Sequence, residues 1–211
     1  MGRNRLLQGL LSLVLLLAAL PVWAATDTLR PDAAGDSTVW TRGGTDTGAN
    51  YSQVNESASD SDTTYVTTTN TSEVDDLYNV STVNFGTDTI AQIQVFLTGR
   101  SVLSGSTGST PADCTFKILI KEGGTTTAST GGAITSTYAE ISNTWTTNPR
   151  TGTAWMQSDI DGLQIGVRSK RTTGSGSKVK DPRTTQMYVV VTHTAAATGV
   201  KGMMTLFGEL D

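Results

Sequence analysis

The sequence has 211 residues, a formal net charge of −4 and 16% charged residues. This length suits one domain with a sizeable hydrophobic core. No basic stripe runs through the chain, which argues against nucleic acid or an anionic membrane as its partner. A single cysteine and a single histidine exclude an intrachain disulfide and any site that needs two histidines.

The chain opens with a pattern typical of a secretory signal peptide. Arg3 and Arg5 precede an almost unbroken apolar run, and small residues stand where a signal peptidase reads the chain. We predict that residues 1–24 are a cleaved signal and that residues 25–211 are a single domain, extracellular or at the cell surface. An uncleaved anchor is the alternative, but an apolar run of about fifteen residues is short of the roughly twenty that span a bilayer.

Short strands separated by polar loops are expected over residues 25–70. An extended arm from Ala25 is predicted to end at Pro31, and Gly, Asp, Ser and Thr then fill the loops. Large residues recur at regular intervals through this region, which is unusual in a disordered tract. They are Val39 and Trp40, Tyr51 and Val54, and Tyr65 and Val66.

Later segments show clearer strand patterns. Residues 90–98 alternate apolar Ile93, Val95 and Leu97 with Gln92, Gln94 and Phe96, and residues 114–121 repeat this period of two. The segment from Gln186 to His193 is apolar on both faces over its middle, so we expect it to be central in a sheet. Further strands are predicted over 74–80, 138–145, 163–171 and 202–206.

A turn and a short helix interrupt the strands between Thr144 and Arg168. Asn148 before a proline, with Gly152 nearby, is typical of a turn. Ser158 and Asp161 resemble a capping box, which predicts one helical turn near residues 156–162. We expect Trp155 and its apolar neighbours to close the end of a sheet there.

No segment after residue 24 shows an amphipathic helical stripe, and threonine is abundant. Threonine favours strands because its branched Cβ fits a pleated sheet. Many short strands with Gly-rich turns predict an all-β protein, an antiparallel β-sandwich of the jelly-roll type. The basic residues between Arg168 and Arg183 are interpreted as a solvated hairpin loop, and Cys114 as a buried, inert thiol.

Several short motifs stand out along the chain: Leu-Arg-Pro at 29–31, Asp-Asp-Leu-Tyr at 75–78, Trp-Thr-Thr-Asn-Pro at 145–149, Ala-Trp at 154–155 ahead of Asp-Ile-Asp-Gly-Leu-Gln-Ile-Gly-Val at 159–167, and Gln-Met-Tyr-Val-Val-Val at 186–191. Together they resemble a family of poorly characterised jelly-roll modules in secreted prokaryotic and phage-associated proteins. The resemblance covers nearly all of the chain after residue 24. It implies the fold and supplies no catalytic residues.

Two sets of residues are candidates for ligands. Trp155 is a possible platform for a sugar ring, and Asn148 and Arg150 in the same loop are possible hydrogen-bonding partners for its hydroxyls. Core packing and turn formation are the alternative roles of these three residues. Asp60 and Asp62 are weak candidates for Ca²⁺, but no EF-hand spacing is present and a solvated acidic loop is the alternative.

We expect no catalytic activity and no cofactor. The acidic residues stand at strand ends or at a cap, and no nucleophile motif has a usable histidine. The first hypothesis is a structural or adhesive subunit that assembles into filaments or oligomers through edge strands or the Ala25 arm. The alternative is a carbohydrate-binding module at the cell surface.

Overall fold

The structure, a computed structural model, describes residues 24–196. Nearly all of the predicted signal segment and the predicted strand at 202–206 lie outside this range. Within it, two antiparallel sheets pack face to face, which confirms the all-β sandwich. Its only helical elements there are a 3-10 helix at Asn50–Gln53 and the single-turn helix α1 at Gln157–Asp161.

The sandwich consists of a seven-stranded and a six-stranded sheet. The seven-stranded sheet contains β1 (Ala24–Leu29), β3 (Thr41–Gly44), β4 (Thr64–Thr67), β6 (Thr89–Ser104), β10 (Ala139–Trp145), β12 (Thr172–Thr173) and β13 (Val179–Thr194). The six-stranded sheet contains β2 (Pro31–Thr38), β5 (Val74–Val80), β7 (Cys114–Glu122), β8 (Thr125–Ala128), β9 (Gly132–Ile134) and β11 (Gln164–Ser169).

The strand order is that of a sandwich whose chain repeatedly changes sheet. The first sheet runs β10-β6-β13-β4-β3, with β1 and β12 also on β13; the second runs β2-β5-β11-β7-β8, with β9 on β7. Most connections cross from one sheet to the other, as in a jelly roll. The predicted central strand is confirmed, because β13 pairs with β6 on one side and with β1, β4 and β12 on the other.

The core lies between the sheets and follows the predicted alternation. Ile93, Val95 and Leu97 of β6 pair in register with Val191, Val189 and Met187 of β13, and all six side chains are fully buried. The alternate residues Gln92, Gln94, Phe96, Tyr188, Val190 and Thr192 are partly exposed to solvent, whereas Thr98 and Gln186 are buried. Burial of each such side chain contributes about 1.5–3 kcal/mol, so this pairing is a main source of stability.

The first extended segment, β1, ends at Leu29, just before Pro31 as predicted, and Pro31 itself begins a second strand. The chain leaves the first sheet after β1 and enters the second sheet at Pro31, which opens the edge strand β2. Proline has no N–H for a ladder, but the first residue of an edge strand does not need to donate one.

Trp155 closes one end of the sandwich, as predicted. Its side chain is 3% exposed, and its Nε1–H donates to the carbonyl of Trp145 at 3.0 Å. The cap of α1 is two residues earlier than expected, because the N–H of Met156 donates to Asp159 Oδ2 at 3.0 Å. Ser158 lies inside the helical turn, so it does not have the predicted capping role.

The predicted hairpin loop is present between β12 and β13, where residues 174–178 form a largely exposed turn that includes Lys178. Most of the basic residues lie outside this turn: Arg168 is on β11, and Lys180 and Arg183 are on β13. Four basic side chains of this region are each paired with a carboxylate. The pairs are Arg168 with Asp75, Arg171 with Asp181, Lys180 with Asp113, and Arg183 with Asp62.

In residues 24–196, no helix is long and apolar enough to cross a membrane.

Asp76 is a carboxylate buried between the sheets, with no exposed surface. Tyr78 donates its hydroxyl to Asp76 Oδ2 at 2.7 Å, and Asn50 donates an amide N–H to the same oxygen at 2.9 Å. Burial raises the pKa of Asp76 to about 6, although these two hydrogen bonds oppose the shift. The folded state therefore holds this proton more tightly than the unfolded state does.

We predict that Asp76→Asn removes a pH-dependent loss of stability. The folded pKa of Asp76 is about 6 against an ordinary value of 3.8, so its contribution is complete below pH 4 and is lost as pH rises through 6. The free energy of unfolding of the wild type, minus that of the variant, should fall by about 3 kcal/mol between pH 4 and pH 7. Urea denaturation across this range measures it, and a constant difference contradicts the assignment.

We predict that Trp155→Ala lowers the free energy of unfolding by about 3–5 kcal/mol, because it leaves a cavity at the end of the core. Trp155→Phe is the matched control, since it retains an aromatic ring and loses mainly the hydrogen bond to Trp145, about 1 kcal/mol. Urea midpoints at unchanged slope report both values. An alanine variant as stable as the phenylalanine variant would show that the indole does not pack as described.

Candidate functional site

The three residues predicted to contact a sugar are engaged within the protein. Asn148 is fully buried, accepts the N–H of Arg150 on Oδ1 at 2.9 Å, and donates to Glu122 at 3.2 Å. Arg150 pairs with Glu122, which lowers the pKa of that carboxyl. Trp155 has no exposed ring face. Asn148 and Arg150 thus stabilise the 148–153 turn, and Trp155 belongs to the core.

Asp60 and Asp62 contact different partners. Asp60 accepts hydrogen bonds from the hydroxyls of Thr64 and Thr185 at 2.8 and 2.9 Å. Asp62 is paired with Arg100 and Arg183. Among residues 24–196, no three His, Cys, Asp or Glu side chains come together as a metal site would require. The structure thus does not assemble these two carboxylates into a calcium site.

A different surface brings functional side chains together: the solvent side of β6, β10 and β13, which we call the outer face. Because side chains alternate along a strand, the residues between the buried ones all point here. On β6 they are Gln92, Gln94, Phe96, Thr98 and Arg100; on β10, Glu140, Ser142 and Thr144; on β13, Arg183, Gln186, Tyr188, Val190 and Thr192.

Phe96 and Tyr188 stack at the middle of the outer face. Their ring centroids are 4.7 Å apart and their planes are inclined by 9°, and this separation matches that of neighbouring strands. The guanidinium of Arg30 lies 5.2 Å from the Tyr188 centroid. On β10 the residue opposite Phe96 is Ser142, which is small and exposed. The Phe96 ring therefore offers its unstacked face on the side of β10.

Polar groups surround this aromatic pair. The hydroxyl of Tyr188 donates to Glu140 at 3.1 Å, and the Gln94 amide donates to Ser142 at 3.1 Å. Partial burial and the Glu140 carboxylate raise the pKa of Tyr188, so the phenol stays protonated at neutral pH. Amide, hydroxyl, carboxylate and guanidinium groups thus stand within reach of one apolar platform.

A second cluster lies further along the same strands. Arg100 on β6 is directly opposite Arg183 on β13, and Asp62 bridges the two guanidiniums. Arg100 lies 4.9 Å from the Tyr138 centroid, and Arg183 lies 4.2 Å from that of Tyr65. Although partial burial opposes it, hydrogen bonds from Arg183 and Tyr138 lower the pKa of the Asp62 carboxyl.

Tyr65 holds its place because its partner across the ladder is a glycine. It pairs in register with Gly43 on β3. A Cβ at Gly43 would lie 2.3 Å from the Tyr65 ring, well inside van der Waals contact, so only glycine leaves room for the ring. The ring in turn supports the Arg183 guanidinium.

The solvent side of the six-stranded sheet has a different character. Cross-strand and neighbouring ion pairs cover it, namely Lys121 with Asp36, Lys117 with Glu73, and Arg168 with Asp75. An open cavity of about 470 Å³ beside Val39 is lined by some of these paired groups. The stacked aromatic pair Phe96–Tyr188 lies on the outer face and not on this surface, so the outer face is the better candidate for a ligand with an apolar side.

The sequence analysis did not assign the residues of the outer face to a site. One signal was present: Phe96 occupies the polar side of the alternating strand at 90–98, beside Gln92 and Gln94. A large aromatic residue on the solvent side of a strand is unusual without a partner or a ligand. Its stacking partner Tyr188 lies 92 residues away, beyond the reach of local pattern analysis.

Several solved structures are similar to this chain, and two of them are described here. No protein-family model and no curated protein matches the chain. The N-terminal cellulose-binding domain of β-1,4-glucanase C from Cellulomonas fimi is 16% identical, with a TM-score of 0.37 over 78% of this chain and 93% of that domain. A CBM4 protein is 17% identical, with a TM-score of 0.33 over 74% of this chain and 92% of its own.

Proposed function

We propose that the protein is an exported carbohydrate-binding module whose ligand lies along the outer face. Export is supported by the signal pattern in residues 1–24. Binding is supported above all by the Phe96–Tyr188 stack, which places an apolar platform among hydrogen-bonding side chains on an open sheet surface. A sugar ring presents an apolar C–H face and a rim of hydroxyls, and this surface offers a partner for each.

The platform is Phe96 rather than Tyr188. Tyr188 has Phe96 on one side and Arg30 near its ring, while Phe96 faces small Ser142 across the ladder. Glu140, Gln94 and the Tyr188 hydroxyl then form hydrogen bonds with the hydroxyls of the same sugar. In this proposal the groups act together as a recognition surface, and the protein binds the sugar without catalysing a reaction.

The arm-based form of the structural hypothesis has less support. The arm from Ala25 forms β1, which pairs along its whole length with β13 of the same chain. A strand already paired in this way is not free to add to another molecule's sheet. Of the two hypotheses, carbohydrate binding therefore accounts for more of the described side chains.

We predict that Phe96→Ala removes most of the affinity for neutral polysaccharides. Loss of an aromatic anchor at the centre of a binding surface costs about 2 kcal/mol, or roughly thirtyfold in Kd. Affinity electrophoresis against a panel of soluble glucans, xylans and mannans, followed by calorimetry with the best ligand, measures the change.

Val39→Ala is the matched control, because Val39 is an exposed apolar residue (49%) remote from the outer face. It should bind as the wild type does. Tyr188→Phe retains the stack and loses only the hydroxyl, so its loss should be smaller than that of Phe96→Ala. If the wild type binds none of the panel or of the acidic polymers used below, or if both alanine variants lose binding equally, the proposal is wrong.

A further inference from the structure

Two arginines face each other on the outer face at an unusual position. Arg100 and Arg183 are paired in register across β6 and β13, and like charges placed directly opposite each other destabilise a sheet unless they are compensated. Arg100 is four positions after Phe96 on the same strand, so the arginines lie about 13 Å from the aromatic platform along the strand.

Only one carboxylate is shared between these two cations. Arg183 Nη1 contacts Asp62 Oδ1 at 2.8 Å, and Arg100 contacts the other oxygen, Oδ2. The cluster thus keeps one positive charge in excess. Arg100 Nε is buried and has no hydrogen-bond partner in the described part of the chain. The Tyr138 and Tyr65 rings hold the guanidinium planes in place, so both cations are oriented in advance.

Asp62 is carried by a turn that is under local strain. Ser61 has φ of 63°, and it is the one non-glycine residue with positive φ among residues 24–196. Such a conformation is uncommon for a side chain other than Asn or Asp and marks a local cost. Asp62 itself has a side chain that is 44% exposed. The carboxylate that bridges the arginines therefore sits on an exposed turn and not on the rigid sheet.

We infer that Arg100 and Arg183 form a subsite for the carboxylate of a uronic acid in the bound glycan, and that Asp62 occupies this subsite until the ligand displaces it. The inference rests on the proposed function, because it places this subsite on the same glycan-binding face. A planar carboxylate with two oxygens is what the paired guanidiniums already hold. The ligand class is a polysaccharide that contains both an unmodified apolar ring face and uronic acid residues.

The probes are alginate, polygalacturonate and glucuronan, each with its carboxyl-reduced counterpart, in which the same backbone is neutral. At least one acidic polymer should bind about tenfold more tightly than its reduced form, as expected for charge-assisted hydrogen bonds. Arg100→Gln and Arg183→Gln should each bring the ratio between affinity for the acidic polymer and affinity for its reduced form to about one, whatever their effect on the reduced polymer alone. Asp62→Asn should strengthen binding of the acidic polymer only. Thermal melting establishes that each variant is folded.

The outcomes separate the inference from the proposed function. If acidic and reduced polymers bind equally, or the arginine variants keep the preference, the uronate subsite is wrong and carbohydrate binding stands. If no polysaccharide binds, acidic or neutral, both fail. Poly-L-glutamate tests simple attraction of polyanions: binding equal to that of the acidic polymer overturns the inference, and absence of binding supports it. Phe96→Ala should lower the affinity for the acidic polymer and for the reduced polymer by the same factor.

Discussion

The structure depends on the pairing of β6 with β13, two strands of sixteen residues that run antiparallel along almost their whole length. One side of this ladder supplies the core residues of the first sheet, and the other supplies the outer face. Because successive side chains alternate, the register of this one strand pair decides which residues enter the core and which lie on the outer face. A slip of one residue would bury Phe96 and Arg100 and expose Val95 and Leu97.

The two sheets divide their tasks. On the six-stranded sheet, three solvent-facing basic side chains are each paired with a carboxylate. The outer face of the seven-stranded sheet carries aromatic rings, amides and a cluster with one excess positive charge. Most of these groups lie on the paired strands β6 and β13. Rigid strands position recognition groups more accurately than loops do, and only the Asp62 turn departs from this arrangement.

Local patterns in the sequence predict the sandwich and much of its core. The alternation at Ile93, Val95 and Leu97 needs only neighbouring residues to be recognised, and the predicted strand at 74–80 coincides with β5. Trp155 illustrates the limit: a loop tryptophan is compatible with a sugar platform and with a plug, and only the position of Ile90 and Trp145 around it decides between them.

Local sequence patterns could not predict the candidate site, because its residues come together only through long-range strand pairing. Phe96 meets Tyr188, and Arg100 meets Arg183, through a register between segments that are far apart in the chain. That register includes bulges between Thr184 and Gln186 and between Thr192 and His193, which shift the facing residues. No local period reveals such a shift. The assignment of the N-terminal arm to β1 also depends on long-range pairing.

The pairing of β1 with β13 has a consequence for how the chain reaches its folded state. Residues 24–29 form their ladder with residues 189–194, so the first described strand has its only partner in the last one. Contacts this remote in sequence slow folding, because a long loop must close before the ladder is formed. The seven-stranded sheet cannot be completed until the end of β13 has been synthesised, and a growing chain remains open, with an unpaired β1, for most of its elongation.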